Sequence, residues 1–279
     1  MKNYLKQTYD RSDPAIISAI DEMPLWSAYF GEVLLDTVVF REKAKILDIG
    51  CGGGFPLLEL AQRFGAGSEV IGIDPWKAST NRLKAKAKTM GVNNIHIING
   101  VAEELPIENN YFDLIVSNNG LNNCSDQIKV LSECYRTLKP GGQLVFTVNL
   151  PGSMKEFYSI FRTTLKEQGL SDAIVKMKQH IKEKRKSLKE NLDQVRKNRF
   201  TVKEIIQKSF YMRYLNGTAF LNHHFVKIAF LESWIKIVPP GKRSKVFSLL
   251  EEKLNNFSKT KGELRLTIPF VCIDCRKIT

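Results

Sequence analysis

Two carboxylates bracket a run of glycines in this chain. From Ile46 to Gly54 the sequence reads ILDIGCGGG, with Asp48 just before Gly50, Cys51, Gly52 and Gly54, and Asp74 stands twenty-four positions beyond Gly50. Glycines at these points remove the Cβ atoms that would keep backbone away from a ligand, and they allow backbone angles other residues avoid. Phe55 occupies the place where a pyrophosphate-binding GxGxxG loop has its third glycine. Negative charge at Asp48 suits a cationic ligand better than a phosphate. Adjacent histidines, His223 and His224, are the candidates for a catalytic base or substrate clamp. Cys272 and Cys275 form CIDC, which supplies only two of the four ligands a structural zinc needs. They read as packed thiols, and no metal is expected.

The elements that position these groups alternate. PLWSAYFGEVLLDTVV, Pro24 to Val39, has helical spacing, and Trp26 and Tyr29 on it are candidates for a substrate pocket wall. Ile46 to Ile49 reads as a buried strand, followed by a helix from Pro56 to Phe64. EVIGID, Glu69 to Asp74, is a second strand, and the helix after it runs from Trp76 to Met90, where Gly91 stops it. Ile95 to Asn99 and Phe112 to Ser117 are the third and fourth strands. Ser125 caps a helix with Ile128, Leu131, Tyr135 and Leu138 on one face, and KPGG breaks it before a fifth strand at Gln143 to Asn149. Such alternation predicts a parallel sheet covered on both faces. Ligands of these sheets bind beyond the carboxyl ends of the strands, where the strand order reverses, and an acid after the second strand can accept hydrogen bonds from both hydroxyls of a ribose. A nucleoside that is cationic and lacks phosphate fits all of this. S-adenosylmethionine is such a molecule.

Composition bounds the rest. The chain has 279 residues, 43% of them apolar, and can bury one large core with insertions. Early acids (Asp10, Asp13, Asp21, Glu22) argue against a leader peptide, no run is long enough to cross a bilayer, and five cysteines without a leader predict a reducing, cytoplasmic setting. Over half of the net charge of +13 lies between Lys166 and Lys203, where twelve Lys or Arg face five Asp or Glu. Ile174, Met177, Ile181, Leu188, Leu192 and Val195 share that stretch at helical spacings, so the lysines read as the solvated face of peripheral helices. Base-stacking aromatics are not interleaved there, so a nucleic-acid partner is not favoured.

ILDIGCGGG, GIDPW, ELPIENNYFDLIVSN and LSECYRTLKPGGQLVF together resemble the class I S-adenosylmethionine-dependent methyltransferases, in the subgroup with the ubiquinone and menaquinone methyltransferases. The resemblance covers about Lys43 to Asn149. It implies an α/β, Rossmann-like, doubly wound seven-stranded sheet, mostly parallel with its last strand antiparallel, plus helical lid insertions. The expected divisions are an N-terminal helical cap at 1–42, a cofactor-binding core at 43–150, a basic helical segment at 151–199, and the last strands at 200–279 interrupted by helix at about 215–260. Phe200 to Ile206 would be the sixth strand and Gly262 to Lys277 the seventh. In the cofactor site, Asp48, Gly50, Cys51, Gly52 and Gly54 would hold the methionine part, Asp74 the ribose, and Pro75 and Trp76 would flank the adenine. Val101 stands where many relatives have an aspartate, so backbone around Val101 and Ala102, with Glu103, would meet the adenine. Asn118 would lie near the methionine carboxylate or the sulfonium, with Asn119 and Asn122 toward the acceptor. SNNG replaces the NPPY-type tetrad of amine methyltransferases, which argues against an adenine or glutamine amide as acceptor. The expected function is methyl transfer to a small-molecule acceptor under a helical lid, with Gly217 to Val238 as the lid helix. The alternatives are an RNA methyltransferase using 166–203 and a non-catalytic S-adenosylmethionine-binding protein.

Overall fold

The computed structural model describes residues 2–23 and 25–278; Pro24, where the first expected helix begins, lies outside them. In chain order the longer elements are α1 (Pro14–Asp21), α2 (Leu25–Thr37), β1 (Lys45–Ile49), α3 (Leu57–Phe64), β2 (Glu69–Ile73), α4 (Lys77–Met90), β3 (Ile95–Ile98), β4 (Phe112–Asn118), α5 (Gln127–Thr137) and β5 (Leu138–Asn149). There follow α6 (Lys155–Glu167), α7 (Ser171–Lys184), α8 (Leu188–Lys197), β6 (Phe200–Tyr214), α9 (Gly217–Asn222), α10 (His224–Val226), α11 (Glu232–Ile237), α12 (Arg243–Lys261) and β7 (Leu264–Lys277). Among the described residues no helix is long and apolar enough to cross a membrane.

One seven-stranded sheet has the order β3-β2-β1-β4-β5-β7-β6. β1 pairs in parallel with β2 and with β4, β2 with β3, and β4 with β5, whereas β7 runs antiparallel to β5. This is the doubly wound, Rossmann-like sheet expected from the sequence. β1 and β2 each bury four of their five residues, as strands covered on both faces do. The chain moves outward from β1 through β2 to β3 and then returns to β4, so the order reverses between β1 and β4 and opens a crevice at their carboxyl ends.

Several local expectations need correction. Asp126, not Ser125, caps α5, its carboxylate accepting from the Ile128 and Lys129 amides, and the buried face is Gln127, Val130, Leu131, Cys134 and Thr137 while Ile128 is 43% exposed. Shifting the cap by one residue rotates the face, because each residue turns the helix through about 100°. KPGG bulges within β5: Leu138 pairs with Phe112, and the ladder resumes at Gln143 opposite Leu114. β6 runs eight residues past Ile206, its exposed Lys203, Glu204 and Lys208 giving the charged character of an edge strand. Gly217 to Val238 is not one helix. His223 is extended (ψ 131°), which ends α9, and Lys227–Leu231 forms a π-helical turn before α11.

The chain divides into two compact units. The larger comprises Arg11–Asn149, Lys186–Lys208 and Phe270–Thr279, and holds most of the sheet; the smaller comprises Met1–Asp10, Leu150–Arg185 and Ser209–Pro269. Within the smaller unit the core gathers on Trp234, fully buried, its indole donating to the Tyr158 hydroxyl at 3.0 Å and lying 4.1 Å, centroid to centroid, from Phe157. Phe220, Phe161, Phe247, Leu250 and Leu254 are buried there as well. Glu251 closes one side, accepting from the Tyr4 hydroxyl at 2.9 Å and the Thr218 hydroxyl at 2.7 Å.

Candidate active site

The glycine loop after β1 is built by close approach. The Gly50 amide donates to the Ile73 carbonyl at 2.8 Å, tying the loop to the end of β2, and a Cβ on Gly50 would stand 3.2 Å from the Gly120 Cα. Gly52 has φ +46° and donates its amide to Asp74 Oδ2 at 3.0 Å. A Cβ there would meet only Ser79 Oγ at 3.7 Å, with Asp74 Oδ2 and the Gly50 carbonyl at 4.0 Å, so the space above this residue is open. Gly54 answers to packing instead, since a Cβ there would strike Leu83 at 2.5 Å and Leu58 at 3.0 Å. Cys51 turns inward beneath Gly72, 1% exposed, and burial pushes its thiol pKa up.

Asp74 sits at the end of β2 with its carboxylate already oriented. Oδ1 accepts from the Trp76 amide at 2.8 Å and Oδ2 from the Gly52 amide, which leaves each oxygen a further lone pair. Burial raises its pKa, against the pull of these two amides. Asp48 is fully buried on β1, and neither of its oxygens has a hydrogen-bond partner. Burial first, and the nearby charge of Asp74 second, push its carboxyl up to about 8. An unpartnered buried acid beside a second acid and an open loop forms an electronegative recess, and it matches a ligand that brings its own positive charge. The residues present therefore fit S-adenosylmethionine.

Flanking groups are placed as follows. The Asp74 carbonyl accepts from the Gly100 amide at 3.3 Å, which sets β3 beside β2 where an adenine edge would lie. Val101 is 49% exposed and Ala102 is buried. Glu103 Oε1 accepts from the Ser125 and Asp126 amides at 2.8 and 3.2 Å, so one of its oxygens serves the turn into α5. Pro75 is exposed; the Trp76 indole donates to the Arg11 carbonyl at 2.8 Å, which secures the segment before α1. The Trp26 and Phe30 rings lie 5.5 Å apart, centroid to centroid, tilted by 58°, and Tyr29 is 43% exposed.

Beyond β4 lies an amide cluster. Asn118 donates to the Ser27 carbonyl at 3.1 Å and accepts from the Thr147 hydroxyl at 3.0 Å, so its side chain ties α2 to β4 and β5. Asn119, at φ +57°, accepts from Asn122 Nδ2 at 2.7 Å, and Asn122 also donates to Asn149. His223 and His224 belong to the smaller unit. His223 lies edge-on to Tyr214 and His224 to Tyr9, and His223 Nδ1 and His224 Nε2 have no hydrogen-bond partner.

Sequence reasoning missed four contributors. Asp21 of α1 stands 3.0 Å from where a Gly53 Cβ would be and pairs with Arg82 and Lys86. Ser79 borders the open space, Gly120 packs against Gly50, and Gly31 in α2 makes room for the Phe55 ring, which lies 2.2 Å from where its Cβ would be. A glycine in mid-helix and the G of SNNG were the available signals. Asp21 had none, because its partners lie more than sixty residues away.

With this geometry in view, residues 47–146 match the family described as methyltransferase domain. Over that stretch the chain is similar to methyltransferase domains, and the geometry of the glycine loop, Asp48 and Asp74 fits S-adenosylmethionine as the cofactor. The chain is 33% identical over 163 residues to a demethylmenaquinone methyltransferase of Staphylococcus haemolyticus, spanning 58% of this chain and 64% of that protein. To the enzyme of the same name from Listeria welshimeri it is 38% identical over 129 residues, covering 44% of this chain and 53% of that one. It thus matches between about half and two thirds of these relatives' length. The fold is shared with the YcgJ protein of Bacillus subtilis, at a TM-score of 0.60 and 19% identity over 90% of this chain and 99% of that one.

Proposed function

We propose that the protein transfers the methyl group of S-adenosylmethionine to a small-molecule acceptor. The observation that carries this reading is the Asp74 carboxylate, held by the Gly52 and Trp76 amides beside the open space above Gly52. Asp74 receives the ribose hydroxyls, the glycine loop carries the methionine part, and Asp48 supplies compensating negative charge. The cofactor supplies an electrophilic methyl group, so the protein's task is to hold a nucleophile in line with it and keep water out. Asp74→Ala is expected to weaken S-adenosylmethionine binding by about 2 to 3 kcal/mol, the scale of lost hydrogen bonds to a charged group. Isothermal calorimetry on the folded variant measures this, and unchanged affinity removes Asp74 from the site. The relatives' name makes demethylmenaquinone the first acceptor to assay.

A hydroxyl acceptor also needs a base, and His223 and His224 are the groups proposed for it. Burial lowers both pKa values, which keeps the imidazoles neutral and able to take a proton at pH 7. His224→Ala is expected to slow transfer by about 10² or more, with His223→Ala the milder change. Cofactor affinity should hold in both, because a base acts on the proton of the acceptor and not on the cofactor. Full turnover in both variants would leave the pair as packing residues.

A further inference from the structure

Arg185 follows α7 and is 5% exposed, yet its Nε and Nη1 have no hydrogen-bond partner. Its guanidinium lies 5.1 Å from the centroid of the Tyr158 ring, and Tyr158 is fixed in turn by the Trp234 indole. Among the described residues no carboxylate pairs with this charge. His180, the titratable neighbour that feels it, has its pKa lowered by burial and then by Arg185, so it stays neutral, and the nearby Glu183 is exposed and engaged with Gln179. Lys184 adds positive charge to the same turn. Burying an arginine without a carboxylate is costly, and contact with one aromatic face recovers only part of that cost.

We propose that Arg185 is an oxyanion receptor in the smaller unit, completed by the carboxylate or phosphate group of a small-molecule ligand. It goes beyond the methyl-transfer reading above and does not depend on it. Both oxyanions match the planar donors of a guanidinium, which cannot shed its charge to escape burial. Tyr158 holds the guanidinium plane in place, so the donors are oriented before the anion arrives.

The test titrates the whole protein with benzoate, inorganic phosphate and pyrophosphate at constant ionic strength, following thermal unfolding, with chloride as control. A saturable rise in Tm with at least one oxyanion is expected, and the three arms separate carboxylate from phosphate recognition. Arg185→Gln should weaken that response by about tenfold or more, the scale of a lost charge-assisted hydrogen bond. Arg185→Lys, which keeps the charge and loses the planar fork, should weaken it less, and it decides the matter if the glutamine variant does not fold. No saturable response in the wild type, or an undiminished response in the variants, overturns the proposal. S-adenosylmethionine calorimetry on the same samples separates the two readings: loss of cofactor binding by the wild type defeats methyl transfer, whereas intact cofactor binding without an oxyanion response defeats only the role of Arg185.

Discussion

Gly52→Val is expected to cut S-adenosylmethionine affinity by at least about 100-fold, or about 2.7 kcal/mol, while the protein stays folded. Two effects act at this residue. At φ +46° a β-branched side chain strains the backbone. The added methyls would also enter the open space bounded by Ser79 Oγ, Asp74 Oδ2 and the Gly50 carbonyl. Gly91→Val separates the two, because Gly91 has φ +68° at the end of α4 and nothing within 4 Å of where a Cβ would stand. A similar fall in Tm in both variants, with cofactor binding lost only at position 52, is the expected pattern in calorimetry. Normal binding by a folded Gly52→Val would place the cofactor elsewhere.

The sheet was legible because parallel strands buried on both faces leave continuous apolar runs, as in KILDI and EVIGI, and because Gly91 stops α4 by adopting the left-handed conformation expected of it. What periodicity carries poorly is the exact cap. Ser125 and Asp126 are both good cap residues, and the choice falls to Asp126, which holds two amides, while Glu103 takes those of Ser125 and Asp126. The break at His223 was illegible for a different reason: Gly217 to Val238 keeps helical apolar spacing across it, and only the backbone at His223 and the π-helical turn after it show the interruption. In the site, the glycines and Asp74 could be read from type and spacing, since their neighbours are close in sequence or at a strand end. Asp21, Ser79 and Gly120 reach the loop through tertiary packing, which no local pattern encodes. Gly54 shows the converse case, a motif position whose missing Cβ is demanded by Leu58 and Leu83.

Asp48 should make cofactor binding depend on pH, in a sense opposite to its effect on stability. In the free protein, burial and the charge of Asp74 raise its pKa to about 8, so near neutrality the carboxyl is mostly protonated. A folded-state pKa above the unfolded one means that the proton is held more tightly in the folded chain. The stability this gives is fully present below the unfolded value near 4, declines as pH rises, and is lost through about 8. A cationic ligand favours the ionised carboxylate and so drives the proton off. Affinity for S-adenosylmethionine is therefore expected to rise with pH, by up to about tenfold per unit, and to level off above about 8. Calorimetry in two buffers of different ionisation enthalpy counts the proton released. Asp48→Asn should bind more weakly at high pH, show a shallower pH profile and release fewer protons, and its thermal stability should fall less between pH 5 and about 9 than that of the wild type. A wild-type affinity that does not change over this range, with no proton released, would mean that Asp48 keeps the same protonation state with and without the cofactor.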